Sequence, residues 1–277
     1  MPTEPASRPP VGGLRGLLAL PNEDPRKLVA LALSLCLVCS LAVSSAAVLL
    51  RPLQEQNAAL ALKREILSVA DLLQPGADIE DLFAERVETR ILDLSSGEFT
   101  DLDPTGFDQR QAARDPANSI QLPPEQDIAR LRSRAKQAPV YLIRSDSGLE
   151  RIVLPVYGAG LWSTMYGLLA LDADGRTIQG MSFYEQGETA GLGAEISSAG
   201  WLDQWRGKQA LDEQGQVRFE LVKGGVDPSS PDARYQVDGL AGATLTANGV
   251  TNLIRYWLSD NGFGPYLERV RAGGGDA

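Results

Sequence analysis

The chain has 277 residues, with 26 Lys and Arg against 36 Asp and Glu, no histidine, and two cysteines, Cys36 and Cys39. This excludes Ser-His-Asp and Cys-His catalysis and, outside one apolar run, His/Cys zinc sites; no EF-hand spacing appears either. Residues 1–50 hold four basic groups (Arg8, Arg15, Arg26, Lys27) and three acidic ones (Glu4, Glu23, Asp24), leaving 22 basic and 33 acidic beyond them. An acidic remainder without a basic stripe argues against nucleic acid and against lying on anionic lipid.

Residues 1–27 form a Pro- and Gly-rich tail with a short apolar patch at Leu14 to Leu20. Leu28 to Leu50 then runs without a charge, about 34 Å as a helix and long enough to cross a bilayer. Arg26 and Lys27 precede it and place the N-terminus in the cytoplasm, by a thin margin because Arg51 follows. A cleaved signal peptide competes, with Val43 to Ala47 offering small residues, but its apolar region is normally only about 7–15 residues. Cys36 and Cys39 read as small apolar packing residues.

Residues 51–137 follow as an outer segment. Leu60, Ile66, Leu67 and Leu73 give an amphipathic helix from Arg51 to about Leu73, ended by Gln74-Pro75-Gly76. Asp78 to Val87 reads as a second short helix with Asp78 as cap. Residues 95–127, with Asp-Pro twice and Pro123-Pro124, read as the least structured part. From residue 138 to 277 the character changes. Strands are expected at Val140 to Arg144, Arg151 to Tyr157, Met165 to Leu171, Thr177 to Tyr184 and Val217 to Val222. Asp172 to Gly175 joins two of them as a hairpin, so the pairing is antiparallel and the fold class α+β with flanking helices.

The most informative stretch is Asp238-Gly239-Leu240-Ala241-Gly242-Ala243-Thr244-Leu245-Thr246. Behind it Val250, Leu253, Ile254, Trp257 and Leu258 mark one face of a helix, stopped by Gly262. Thr244 therefore sits at a helix N-terminus, where free N–H groups and the helix dipole favour an anion, phosphate above all. Thr244, Thr246 or Asn248 could equally serve as the helix cap. Three further segments stand out: Tyr157 to Ser163, with glycines around Trp162; Glu188-Thr189-Ala190-Gly191-Leu192-Gly193; and Lys223-Gly224-Gly225. Each has a plainer reading, as a core tryptophan, a surface loop and a solvated lysine respectively.

Asp-x-x-x-Gly-Ala-Thr resembles the flavinylation signature of proteins that carry FMN on a threonine. Together with Asp108-Gln109-Arg110, Gly160 to Ser163, Glu188 to Gly193 and Gly262-Phe263-Gly264-Pro265, it resembles the C subunit of the Na+-translocating NADH:quinone reductase over nearly the whole chain after residue 27. One departure is Ala190, where that family usually has proline.

The resemblance implies a single-pass protein of the bacterial inner membrane, with an N-terminal transmembrane helix and an exported, periplasmic FMN-binding domain. It implies FMN in phosphoester linkage to Thr244, added by a separate flavin transferase. It also implies other respiratory-complex subunits as partners, and electron relay towards quinone rather than acid–base catalysis. Asp238, Leu240, Gly242 and Ala243 would form the attachment stretch, and Thr246 and nearby amides would bond the phosphate. Lys223 could offset its charge or bind the ring's carbonyl edge, and Trp162, Glu188, Thr189, Leu192 and Gly193 would lie along the ring. The rivals are the G subunit of the related Rnf complex, typically shorter in the outer segment, and a non-redox membrane-anchored assembly or sensor module in which Thr244 is only a cap.

Overall fold

The computed structural model describes residues 21–274. The N-terminal tail expected before residue 21, with its apolar patch, lies outside the described residues. The chain divides into two compact units, Met1–Ala59 and Leu60–Ala277. Helix α1, Pro25–Val69, opens with proline at its first position, where a missing N–H costs nothing, and the Asp24 carboxylate accepts from the Arg26 N–H. It is long and apolar enough to cross a membrane, and its large apolar side chains from Leu28 to Leu50 are exposed. Ile66, Leu67 and Val69 near its end are buried within the second unit. The helix stops short of Leu73. Asp71 takes a left-handed conformation (φ 57°) and the Leu72 N–H bonds the Leu67 carbonyl, a Schellman-type close.

Helix α2, Ile79–Arg86, has the expected cap, the Asp78 carboxylate accepting from the Glu80 and Asp81 N–H groups. It runs without a loop into β1, Val87–Asp93. β1 pairs residue by residue with β5, Gln137–Ser145, from Val87 opposite Ile143 to Asp93 opposite Gln137. The division expected at 137/138 therefore runs through a sheet. The region expected to be least structured holds β2, Glu98–Thr100, helix α3, Gln109–Arg114, capped by Asp108, and β3, Ser119–Gln121, which pairs with β4, Ser133–Ala135.

β6, Gly148–Ala159, β7, Thr164–Asp172, and β8, Ile178–Glu185, complete a six-stranded antiparallel sheet in the order β2-β1-β5-β6-β7-β8. Its central strands β5, β6 and β7 carry long buried apolar runs because both faces are covered. Leu142, Ile152, Leu154, Leu169 and Leu171 face one core, while Ile143, Val153, Leu168 and Ala170 face another with Ile66, Leu67 and Ile79. The first core is filled by α5, Thr244–Leu258, through Val250, Leu253, Ile254 and Trp257, and by α6, Gly264–Arg271, reached after a short helix α4, Ala199–Leu202. The indole N–H of Trp257 donates to the Tyr157 carbonyl at 2.7 Å, fixing α5 across β6.

The sheet's edges are short or covered. β2 has three residues, and at β8 the backbone of Ile178 bonds Gly207 and Lys208 while Ser197 donates to the Phe183 carbonyl. The strand expected at Val217 to Val222 shrinks to β9, Glu220–Val222. It pairs in parallel, outside the main sheet, with β10, Gln236–Asp238, because a long connection through Gly224 and Gly225 separates them.

Candidate cofactor site

β9 and β10 end side by side, and the chain leaves them through two glycine turns. After β9, Gly224 and Gly225 have φ of 84° and 101°, and the Asp238 carboxylate accepts from the Val226 N–H at 2.7 Å. Asp238 thereby pins the first turn, while its carbonyl accepts from the Trp201 indole at 2.8 Å. After β10, Gly239 donates to the Val222 carbonyl, and a side chain there would collide with that oxygen at 2.7 Å. Gly242 (φ 74°) then turns the chain into α5. Glycine fits this left-handed backbone without the penalty a Cβ brings.

The first residue of α5 is Thr244, with Ala243 as its N-cap, and no side chain caps the helix. The reading of Thr244, Thr246 or Asn248 as a cap is overturned. Amides at this end are left for another acceptor, at the positive pole of a 15-residue helix. Between the turns and α5 lies a groove of about 490 Å³. Lys223, Asp238, Leu240, Gly242 and Thr244 line it, together with Ala247 and Asn248, which the sequence reading did not assign to a site. Asn248 follows Thr244 by one helical turn, and that spacing was the signal for it. Lys223 is exposed and is the only cation lining the groove among the described residues.

The other expected residues gather around one carboxylate. Glu188, 8 % exposed, accepts from the backbone N–H groups of Leu161, Trp162 and Ser163 at 3.2, 3.0 and 3.3 Å, and from the Thr246 hydroxyl at 2.6 Å. Burial works against its charge. The bonds from Thr246, Trp162, Leu161 and Ser163 outweigh that and hold its pKa below the usual carboxylate value. Glu188 thus knots the β6–β7 loop to α5, and the hydroxyl of Thr246, expected on a phosphate, is committed to that knot. Gly193 is small for the same reason, since a Cβ there would meet the Thr246 hydroxyl at 2.6 Å.

Trp162 is 71 % exposed at the tip of the held loop, so the core reading fails for this residue alone among the four tryptophans. Leu192 is 43 % exposed and its methyl lies where a side chain on Gly242 would project, 3.1 Å away, which brings it to the edge of the Gly242 turn. Thr189 is exposed, and its carbonyl accepts from Leu192 and Ala194. Ala243 is buried at the helix start. Two threonines two residues apart therefore differ completely. Thr246 is 1 % exposed and bonded, whereas Thr244 is exposed with no side-chain hydrogen bond among the described residues.

The geometry suits FMN: a small-residue groove, uncapped helix amides and a lysine for a phosphate, and exposed apolar side chains nearby for a planar ring. Residues 160–259 match the family model of the FMN-binding domain. The chain is 48 % identical over 256 residues to the C subunit of the Na(+)-translocating NADH-quinone reductase of Yersinia pestis, covering 91 % of this chain and 95 % of that protein. It is 45 % identical to the C subunit of the same enzyme from Pseudomonas aeruginosa, covering 91 % and 98 %. The crystal structure of NqrC from Shewanella oneidensis superposes with a TM-score of 0.71 at 38 % identity, covering 76 % of this chain and 97 % of that one.

Proposed function

The chain belongs to the family of the C subunit of the Na(+)-translocating NADH-quinone reductase, FMN-binding electron-transfer components, and from that premise we propose that its FMN is held covalently by Thr244. The observation that carries this reading is the contrast between Thr244, exposed and unbonded at an uncapped helix end, and Thr246, buried on Glu188. The linkage would form when Thr244 gives up its hydroxyl proton and its oxygen bonds the FMN phosphorus of FAD, the bridging P–O bond breaking so that AMP leaves with the proton, a separate flavin transferase acting as catalyst. The resulting phosphodiester carries one negative charge beside the free amides of α5 and the Lys223 ammonium.

When bound, FMN supplies electron transfer, and the protein supplies position and surroundings. Gly242 lets the backbone approach the ester. Asp238 acts behind the groove by fixing the 223–226 turn, rather than by touching the phosphate. Glu188 acts through the loop it holds, which presents Trp162, and Leu192 offers an apolar edge beside Gly242. The tether keeps an electron carrier from dissociating and fixes its reach towards the rest of the complex.

Residues 28–50 form a single-pass anchor in the bacterial inner membrane, with the N-terminus cytoplasmic and the FMN-binding domain periplasmic. Charge flanking supports this orientation.

Co-expression with a flavin transferase tests the attachment. The wild-type chain fluoresces as a band on a denaturing gel, Thr244→Ala is dark, and Thr244→Ser retains label. A dark wild-type chain beside a labelled control substrate overturns the proposal. A C-terminal phosphatase fusion is active if the domain is exported, and a stable but inactive fusion reverses the orientation.

A further inference from the structure

The groove beside Thr244 has apolar walls, supplied by Leu221, Val222, Leu240 and Ala247. Polar side chains enter its lining only from Lys223, Asp238, Thr244 and Asn248. All but the last already have a task. Thr244 is the attachment point proposed above, Asp238 holds the Val226 N–H, and Lys223 is a point charge suited to a phosphate. Asn248 is exposed, and its carboxamide makes no hydrogen bond among the described residues.

An exposed asparagine on a helix is ordinarily solvated surface, and two observations set this one apart. The first is its place. The Thr251 hydroxyl, three residues on, accepts from the Leu221 N–H at 3.0 Å and ties α5 to β9, so Asn248 lies on the face of the helix turned to that wall of the groove. Thr244 stands one turn before it on the same face, about 6 Å along the axis. The second is its chemistry. Asparagine is a weak helix former whose amide competes for backbone groups, yet here it occupies the second turn of α5 without bonding any.

A phosphoester on Thr244 fixes where the body of FMN begins. The phosphate calls for anion partners, and the free amides of α5 with Lys223 provide them. The ribityl chain follows the phosphate and carries neutral hydroxyl groups, which are matched by a partner that both donates and accepts. A carboxamide does both. Among the side chains lining the groove, only Asn248 has that capacity uncommitted. We infer that the Asn248 carboxamide binds a ribityl hydroxyl of the attached FMN and directs the cofactor along α5. The inference rests on the covalent reading, because the tether sets the one-turn offset between phosphate and amide. Asn248 binds and orients; it exchanges neither proton nor electron.

The test uses the full-length chain in detergent, produced with and without a flavin transferase, as wild type, Asn248→Ala and Asn248→Leu. Leucine keeps the size of the side chain and removes its hydrogen bonding. All three label equally on a denaturing gel. In the native state the labelled variants lose flavin fluorescence anisotropy, and their flavin is quenched by iodide about fivefold more, the equivalent of one hydrogen bond. Labelling raises Tm less in both variants than in wild type, while the unlabelled variants melt at the wild-type temperature or above it. A purely structural role shifts labelled and unlabelled chains equally, and that outcome overturns the inference. So does a labelled Asn248→Ala chain with wild-type anisotropy and quenching. An Asn248→Leu chain that restores both overturns it too, since Asn248 would then only fill space. A wild-type chain that stays dark beside a labelled control removes the attachment itself, and this inference with it.

Discussion

Replacing Glu188 by glutamine changes one atom and breaks the knot between the β6–β7 loop and α5. Oε1 accepts from Trp162 and Ser163, and Oε2 from Leu161 and Thr246. Glutamine keeps one acceptor oxygen. Its NH2 fits best where Oε2 stood, because the Thr246 hydroxyl can rotate to accept from it. The Leu161 N–H then faces another donor and is orphaned, costing about 1–3 kcal/mol, and the remaining bonds lose charge assistance, which is worth roughly half of each. The total is about 2–4 kcal/mol. For a folding unit of this size that lowers Tm by roughly 5–12 °C. Thermal unfolding of the full chain at pH 7, followed by tryptophan fluorescence, reads the shift directly. A decrease under about 2 °C refutes the reasoning.

The pH dependence adds a second check. Because the folded-state pKa of Glu188 lies below its ordinary value, its contribution is fully present above the ordinary carboxylate range and is lost as pH falls through the lower folded value. The gap between wild type and Glu188→Gln therefore narrows only in acid. A gap unchanged down to the acid limit of folding contradicts the assignment.

Gly160→Ala projects a methyl group into the Glu188 carboxylate and should destabilise the chain by about 1–3 kcal/mol, with little further loss when combined with Glu188→Gln. Gly242→Val forces a β-branched residue to φ near +74° and against Leu192, costing about 1–3 kcal/mol of stability by chemical denaturation. Trp162→Phe should leave stability within about 0.5 kcal/mol while removing most iodide-quenchable fluorescence, since Trp201, Trp205 and Trp257 are buried. Substantial residual quenching would mean that one of those three is open to solvent.

Much of the site was legible because its signals are local. The apolar stripe from Val250 to Leu258 located α5, the Gly-Ala turn located its start, and Asp78 announced its own helix. The difference between the two threonines was also present and went unread. Thr246 precedes Val250, Leu253 and Trp257 by 4, 7 and 11 residues, so it belongs to the buried stripe, while Thr244 does not. β1 was hidden because α2 passes into it with no turn residue between them. The role of Glu188 could not be read from spacing, since it depends on loop amides more than 20 residues away. Asp238 and Thr246 were expected to contact a ligand, whereas both side chains hold protein atoms. Between the two related redox complexes, end-to-end likeness to the quinone reductase's C subunit agrees with the reading from the long outer segment.

The covered rims of the six-stranded sheet bear on how densely such chains can be gathered. Open strand edges invite copies to zip together through backbone hydrogen bonds, and anything that confines molecules to a plane multiplies their encounters. A three-residue rim at one side and a rim already bonded to its own loop at the other remove most of that template. Lateral crowding should then leave these domains discrete, free to meet partners through side chains instead of fusing along their strands.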